Sequence, residues 1–307
     1  MTAAARPLAA PGARFLDPTV LARIGNLELL ARTVVEGFVT GLHRSAHFGV
    51  STDFAEHRPY VAGDDTRRVD WRLWARTDRY YVKEYEAETN ASCTVLLDVS
   101  RSMAWSAGGR VPKLDYARYL AACLLYFAHR QRDRVGLVTF DVEVRDYVPP
   151  SGRHLMAALY AIDRAEAAGA GSLARPLGRV TEQLRRPGIV ALVSDLYEEP
   201  AVVRDAVQRL RTGGSDVIVF HVLDAAEREF PYDGPAPFQD VESGTRMPVV
   251  PEYLRDQYRR LVAEHIDTLG RLLGEAGADY RLLDTRRPLD EALFEFLSAR
   301  QRLSRVR

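Results

Sequence analysis

Few residues in this chain combine the type and spacing needed for chemistry, and most of them follow two apolar runs. The run Cys93 to Val99 contains Asp98 and leads into Asp98-Val-Ser100-Arg-Ser102. The run Ile189 to Ser194 is followed by Asp195, and a stretch of small residues between the two runs (AEAAGAGS) carries Ser172. In extended backbone alternate residues project to one side, so Asp98, Ser100 and Ser102 present a carboxylate and two hydroxyls together. These are hard oxygen donors. Mg²⁺ takes about six such ligands at about 2.0–2.1 Å and keeps some of its waters. Three hydroxyls with one or two carboxylates would fill part of that shell and leave a position open. A purely structural reading competes: an Asp after a strand caps the next helix, and a Ser beside it turns the chain. D-x-S alone favours capping. D-x-S-x-S together with a second strand-end Asp favours the metal.

The elements that must hold these residues follow from hydrophobic periodicity. Asp17-Pro18 reads as a helix start, and Val20, Leu21, Ile24, Leu27, Leu30, Val34 and Phe38 continue a helical face to about Val39. Residues 40–78 are rich in Gly, Asp and Arg and read as irregular, and Tyr80 to Glu88 alternates as a strand. From Ala91 onward short apolar strands alternate with amphipathic helices. Strands are expected at Cys93–Val99, Arg134–Phe140, Val142–Val148, Ile189–Ser194, Asp216–Leu223 and Asp279–Leu283. Helices are expected at Leu114–Arg130, His154–Arg164, Leu173–Arg185, Pro200–Arg211, Pro251–Ala276 and Pro288–Arg300, with a small hairpin between Phe230 and Val250. This alternation predicts an α/β fold with a doubly wound, mostly parallel sheet covered on both faces. Such sheets bind ligands beyond the carboxyl ends of their strands, where the strand order reverses. Two parts are expected: residues 1–90, an N-terminal helix and irregular segment, and residues 91–300, the α/β domain.

Composition narrows the function classes. The chain has 307 residues, 47% of them hydrophobic, enough for a sizeable core. Its 42 basic and 42 acidic residues cancel, so no global field draws it to nucleic acid or an anionic membrane. Only Lys83 and Lys113 are lysines; the other 40 basic residues are arginines. Neither lysine closes a G-x-x-x-x-G-K-[ST] loop, there is no G-x-S-x-G, and no G-x-G-x-x-G follows the first core strand. Cys93 and Cys123 lie singly in apolar runs and read as buried thiols. No apolar run is long enough to span a bilayer, so the expected location is the cytoplasm, with no membrane span. No base or nucleophile is placed beside the candidate metal, so catalysis is not expected.

The stretch Asp98 to Met103 (DVSRSM) resembles the opening motif of the von Willebrand factor A (vWA) domain, whose metal-ion-dependent adhesion site draws D-x-S-x-S, a threonine and an aspartate from separate loops. By that resemblance Ser172 takes the threonine position, with serine in its place, and Asp195 that of the second aspartate. The implied ligand set is Asp98, Ser100, Ser102, Ser172 and Asp195 around Mg²⁺ or Mn²⁺.

A second resemblance is more specific. Phe54, Arg58, Tyr60, Gly63, Asp64, Asp65, Arg67, Asp70, Trp71, Ala75, Arg76, Val82, Lys83, Tyr85 and Glu88 match the signature of a bacterial vWA-like family known only as a domain of unknown function, DUF58. With the vWA part it spans roughly residues 40–300. It implies an adaptor or co-chaperone that works with a MoxR-type AAA+ ATPase and an unknown client protein captured through a carboxylate. Physically, the acids and arginines around Trp71 and Trp74 read as an ion-pair network over packed Trp rings, or as a docking surface. Two rival functions stand beside the metal-dependent interaction module: a metal-dependent hydrolase, and a scaffold whose metal site is vestigial.

Overall fold

Strands rich in Val, Leu, Ile and Phe must be covered on both faces, and the central strands of this protein are buried along almost their whole length. The computed structural model describes residues 18–21, 25–44, 56–59, 71–84, 91–108, 111–184, 186–241, 244–289, 292, 293 and 296. In chain order its elements begin with α1 (Pro18–Leu21), α2 (Leu27–Arg44), β1 (Glu56–Pro59), α3 (Trp71–Thr77) and β2 (Tyr81–Glu84). Then come β3 (Ser92–Asp98), a 3-10 turn (Arg101–Ala104), α4 (Lys113–Arg130), β4 (Arg134–Phe140), β5 (Val144–Ser151), α5 (Leu155–Asp163) and α6 (Ala174–Gln183). The chain continues through β6 (Ile189–Ser194), α7 (Pro200–Thr212), β7 (Asp216–Leu223), α8 (Ala225–Glu229), β8 (Ala236–Gln239), β9 (Arg246–Val249), α9 (Pro251–Glu275) and β10 (Asp279–Asp284).

Six strands form the main sheet in the order β10-β7-β6-β3-β4-β5. All neighbours are parallel except β4 and β5, which form an antiparallel hairpin at the edge. The fold is therefore the expected doubly wound α/β type. One face carries an apolar layer built on α2, α4 and α5, and the other a layer built on α6, α7 and α9. From β3 the chain passes through α4 to β4 and β5, and β6 then lies on the other side of β3. The strand order thus reverses between β3 and β6, the position that gathers ligands in sheets of this kind.

Several elements differ from the sequence expectation. The first helix is two pieces. The Asn26 side chain accepts the Leu29 amide at 2.9 Å and starts a new helix, which is the reason for the restart. Leu30, Ala31, Val34, Val35 and Phe38 of α2 are buried in the same core as α4, so the N-terminal helix helps to close the sheet. The irregular stretch contains β1 and α3. β1 (EHRP) has no apolar alternation to reveal it, and it pairs antiparallel with β2. Tyr81–Glu84 is the described part of the expected Tyr80–Glu88 strand. The strand β5 runs on through Pro149 and Pro150, which an edge strand tolerates because it needs no donors on its outer side. Most of the expected last helix lies outside the described residues, but Leu289, Ala292, Leu293 and Phe296 are buried, with the Phe296 ring edge-on to Phe127.

Trp71 is 56% exposed and forms a ring cluster with Trp74 and Tyr80, so it is not packed beneath an ion-pair network. Asp64, Asp65, Arg67 and Asp70 lie outside the described residues.

Candidate metal centre

An aspartate ends, or directly follows, each of the five parallel strands: Asp98 on β3, Asp141 after β4, Asp195 after β6, Asp224 after β7 and Asp284 on β10. All five are nearly or fully buried. A buried carboxylate is costly unless it is paired or hydrogen-bonded, so each can be asked what answers its charge. Asp141 holds Arg145 through Nε at 2.7 Å and a second nitrogen at 2.5 Å. Asp284 holds Arg286 at 2.8 Å. Asp224 caps α8, with Ala226 N on Oδ1 at 2.8 Å and the Glu227 side chain closing a capping box. Asp195 Oδ2 accepts from Lys113 Nζ at 2.8 Å.

Asp98 differs from the other four. Its Oδ1 accepts the Ser100 amide at 2.8 Å and its Oδ2 accepts the Ser194 hydroxyl at 2.5 Å. Among the described residues no Lys or Arg side chain reaches it. Burial first, and then the negative charge of Asp195, push its carboxyl from 3.8 up to about 7, against the pull of the Ser194 and Ser100 hydrogen bonds. The cap-and-turn reading explains Asp224 fully; at Asp98 it explains the Oδ1 turn onto the Ser100 amide but brings the buried charge no cation and no helix cap.

The surroundings of Asp98 follow from local sequence. Ser100 is extended (φ −62°, ψ 159°) and leads into the 3-10 turn, which brings Ser102 back so that the two hydroxyls lie 3.0 Å apart. Both serines are buried. Ser100 reaches Asp98 from extended backbone, as expected, whereas Ser102 is brought to Ser100 by the 3-10 turn and not by strand alternation. On the β6 side Leu196 adopts φ +51°, an uncommon conformation for a leucine. The turn is held by the Leu196 amide on Ser194 Oγ at 3.1 Å and by His265 Nε2, 3.1 Å from the Leu196 carbonyl oxygen. This bend separates Asp195 from the residues that follow it.

The loop of small residues lies across the β3 turn. The Ala168 amide donates to the Val99 carbonyl and the Arg101 amide to the Gly169 carbonyl, both at 2.9 Å. Its far end is tied to the β6 loop by the Leu173 amide on Glu198 Oε1 at 2.7 Å. Ser172 is half-buried on this doubly tethered loop. The hydrogen bonds that join the centre run through Asp98, Ser100, Ser102 and Ser194 rather than through Ser172. Four of the five sequence candidates, Asp98, Ser100, Ser102 and Asp195, thus lie together at the switch point, and the fifth lies on the loop beside them.

Two participants are absent from the sequence reading. Ser194 links the strands by donating to Asp98. Lys113, wholly buried, bonds Glu227 Oε1 at 2.6 Å as well as Asp195, under the Tyr197 ring 4.9 Å away. Burial, the largest influence, lowers the affinity of this ammonium for its proton, but Asp195 and Glu227 together outweigh it and hold it above its ordinary value. The available signal was its rarity: one of two lysines in an arginine-rich chain, set just past the D-x-S-x-S turn.

The donor set fits a hard divalent cation. Among the described residues no group of three or more His, Cys, Asp and Glu side chains could hold a metal, so any ion here would rest on two carboxylates and on hydroxyls. Such oxygens are the ligand chemistry of Mg²⁺ and Mn²⁺. Ser194→Ala is expected to remove one donor from a buried carboxylate and one acceptor from the Leu196 amide, and so to destabilise the fold by about 1.5–3 kcal/mol. Urea unfolding followed by circular dichroism measures this, and an unchanged midpoint would show that Ser194 does not support Asp98.

Comparison with known proteins finds several similar chains. The uncharacterized protein Rv1480 of Mycobacterium tuberculosis is 27% identical over 296 residues, covering 93% of this chain and 91% of its own length. Among solved structures, similarity is found to BatB of Bacteroides thetaiotaomicron, at 15% identity and TM-score 0.46 over 68% of this chain and 97% of that one. An aerotolerance-related membrane protein of Bacteroides fragilis gives 14% identity and TM-score 0.47 over 68% and 98%. At those values the structural likenesses carry no functional argument. Among the described residues no helix is long and apolar enough to cross a membrane. The family described as "Protein of unknown function DUF58" matches residues 56–268, well over half of the chain, and the protein belongs to that family.

Proposed function

We propose that the protein is a non-catalytic interaction module whose centre takes Mg²⁺ or Mn²⁺ and, through it, a carboxylate from another protein. The carrying observation is Asp98: of five buried strand-end aspartates it alone is answered by neither a cation nor a helix cap among the described residues, and it lies beside two hydroxyls and a second carboxylate. Asp98, Ser100 and Ser102 would hold the ion, with Asp195 and Ser172 as the further donors. A divalent ion there supplies positive charge with a coordination position left for an acidic ligand. The protein's own part is to fix the oxygens, which the Asp98–Ser100 turn and the Ser194 bond do.

Binding is favoured over hydrolysis by the arrangement of the hydroxyls. Among the described residues the two serines contact each other and Ser100 also bonds Asp98, the carboxylate the ion would engage, while His221 behind the site is buried, bonded through Nδ1 to the Tyr280 hydroxyl at 2.7 Å and held down to about 3 by burial. The adaptor role with a MoxR-type AAA+ ATPase and a client protein is part of this proposal and rests on the signature residues. A cytoplasmic location accords with Cys93 and Cys123, both buried free thiols.

The test is capture from native lysate on the immobilised full chain, in Mg²⁺ and in EDTA. An AAA+ ATPase or a client retained only with the metal, and lost in Asp98→Ala, is the expected result; capture indifferent to EDTA contradicts the proposal. The ion should also raise the melting temperature, since a ligand at 100 times its Kd stabilises by about 2.7 kcal/mol.

A further inference from the structure

Lys113 sits where stability alone would not place it. It is the first residue of an 18-residue helix, whose amino end repels a cation. Its ammonium is wholly buried, and buried ion pairs are weak contributors to stability beside apolar residues of the same volume. The chain uses arginine at 40 of its 42 basic positions, yet keeps a lysine here. A compact ammonium makes a single-point contact where a guanidinium fork would need more room. Its two partners also differ in kind. Asp195 belongs to the candidate centre. Glu227 belongs to α8 and is bound to it through Oε2, which accepts the Asp224 amide at 2.8 Å.

We infer that Lys113 is a resident counter-cation of the metal centre: it holds Asp195 through Oδ2 and opposes the divalent ion, and Glu227 draws part of its charge away. The inference rests on the metal reading proposed above. Lys113 touches neither the ion nor the acidic partner, so it is a positioning residue that acts through the donor Asp195. The ammonium lies 2.8 Å from one oxygen of a carboxylate that the ion would share, and two cations drawing on one buried carboxylate repel each other through a weakly screened medium. The consequence is a centre that binds its ion weakly by itself and gains most from an acidic ligand, because each added negative charge offsets the lysine. Glu227 sets how strongly Lys113 bears on Asp195, since one ammonium serves both carboxylates at 2.8 and 2.6 Å.

The prediction has opposite signs at the two positions, which a merely structural role would not give. In calorimetric titration of Mn²⁺ into the EDTA-stripped full chain, Lys113→Met is expected to bind at least tenfold more tightly than the wild type, and Glu227→Gln several-fold more weakly. Should Lys113→Met alone fail to fold, the double variant Lys113→Met/Glu227→Gln removes the ammonium together with its second partner, and it is expected to bind more tightly than Glu227→Gln. Binding by Lys113→Met or the double variant where the wild type shows none supports the inference in its strongest form. Wild-type binding with equal or weaker binding on loss of the lysine overturns the inference and leaves the metal reading standing. No binding in any of the four proteins overturns both.

Discussion

Asp98→Asn is expected to raise the melting temperature of the metal-free protein while abolishing its response to Mg²⁺ or Mn²⁺. The Asp98 carboxyl is lifted from 3.8 to about 7, first by burial and then by Asp195. At 1.36 kcal/mol per pH unit, a rise of about three units is an unfavourable contribution of up to ~4 kcal/mol above pH 7. An amide of the same shape carries no charge to desolvate. Its oxygen still accepts the Ser100 amide, and its NH₂ can donate to Ser194. It loses the extra strength of hydrogen bonds to a charged acceptor, so a net gain of about 2 kcal/mol is expected, a few degrees in a chain of this size. The sign with pH is definite. A carboxyl raised on folding holds its proton more tightly in the folded state, so its contribution is favourable below about pH 4 and is lost as pH rises through about 7. The advantage of Asp98→Asn in EDTA should therefore widen from pH 4 to 7 and vanish below 4. Thermal denaturation across that range checks it. A variant less stable than the wild type at pH 8 in EDTA would mean that Asp98 is satisfied without a metal.

Gly169→Ala is expected to destabilise by about 2–5 kcal/mol and to weaken metal binding with it. Gly169 has φ +74°, where a side chain costs about 1–2 kcal/mol. A Cβ there would also lie 2.6 Å from Asp141 Oδ2, far inside contact distance. Asp141 has little freedom to retreat, being fixed by Arg145 and by the Glu143 amide at 3.0 Å, and overpacking of this kind adds about 1–3 kcal/mol. The loop would shift, and with it the bonds from Ala168 and Gly169 to the β3 turn and the position of Ser172. Urea midpoints measure the first effect and Mn²⁺ titration the second. A change under 0.5 kcal/mol would show that the loop is not held as described. The same experiment bears on Ser172, since a destabilised loop with unaltered metal affinity would remove that residue from the ligand set.

How far the centre was legible in the sequence depends on range. D-x-S-x-S is local: extended backbone as far as Ser100 and the 3-10 turn after it set the two hydroxyls 3.0 Å apart, although alternation alone does not predict that turn. Asp195 was legible because two apolar strands of a parallel sheet both end in carboxylates, and the order reversal places those strands side by side. The other strand-end aspartates show the limit of that rule. Asp141, Asp224 and Asp284 carry the same local signal, and only their partners, Arg145, the α8 cap and Arg286, set them apart from Asp98. Those partners lie two to four residues away, but no spacing reveals which side chain turns inward. Lys113 was illegible for the opposite reason. Its contacts cross 82 and 114 residues of chain, and propensity at a helix start argues against it. The fold was legible wherever apolar period was strong, from β3 to α9. It was not legible at β1, where EHRP has no period at all, nor at α8, a five-residue helix defined by its capping box.

The central claim is that oxygens around Asp98 bind one divalent cation, and calorimetric titration of Mn²⁺ into the EDTA-stripped full chain tests it most directly. Saturable binding of one ion per chain is expected, and it should disappear in Asp98→Asn while the variant stays folded. Binding that is absent from the wild type and from Lys113→Met alike, or that Asp98→Asn leaves intact, would contradict it.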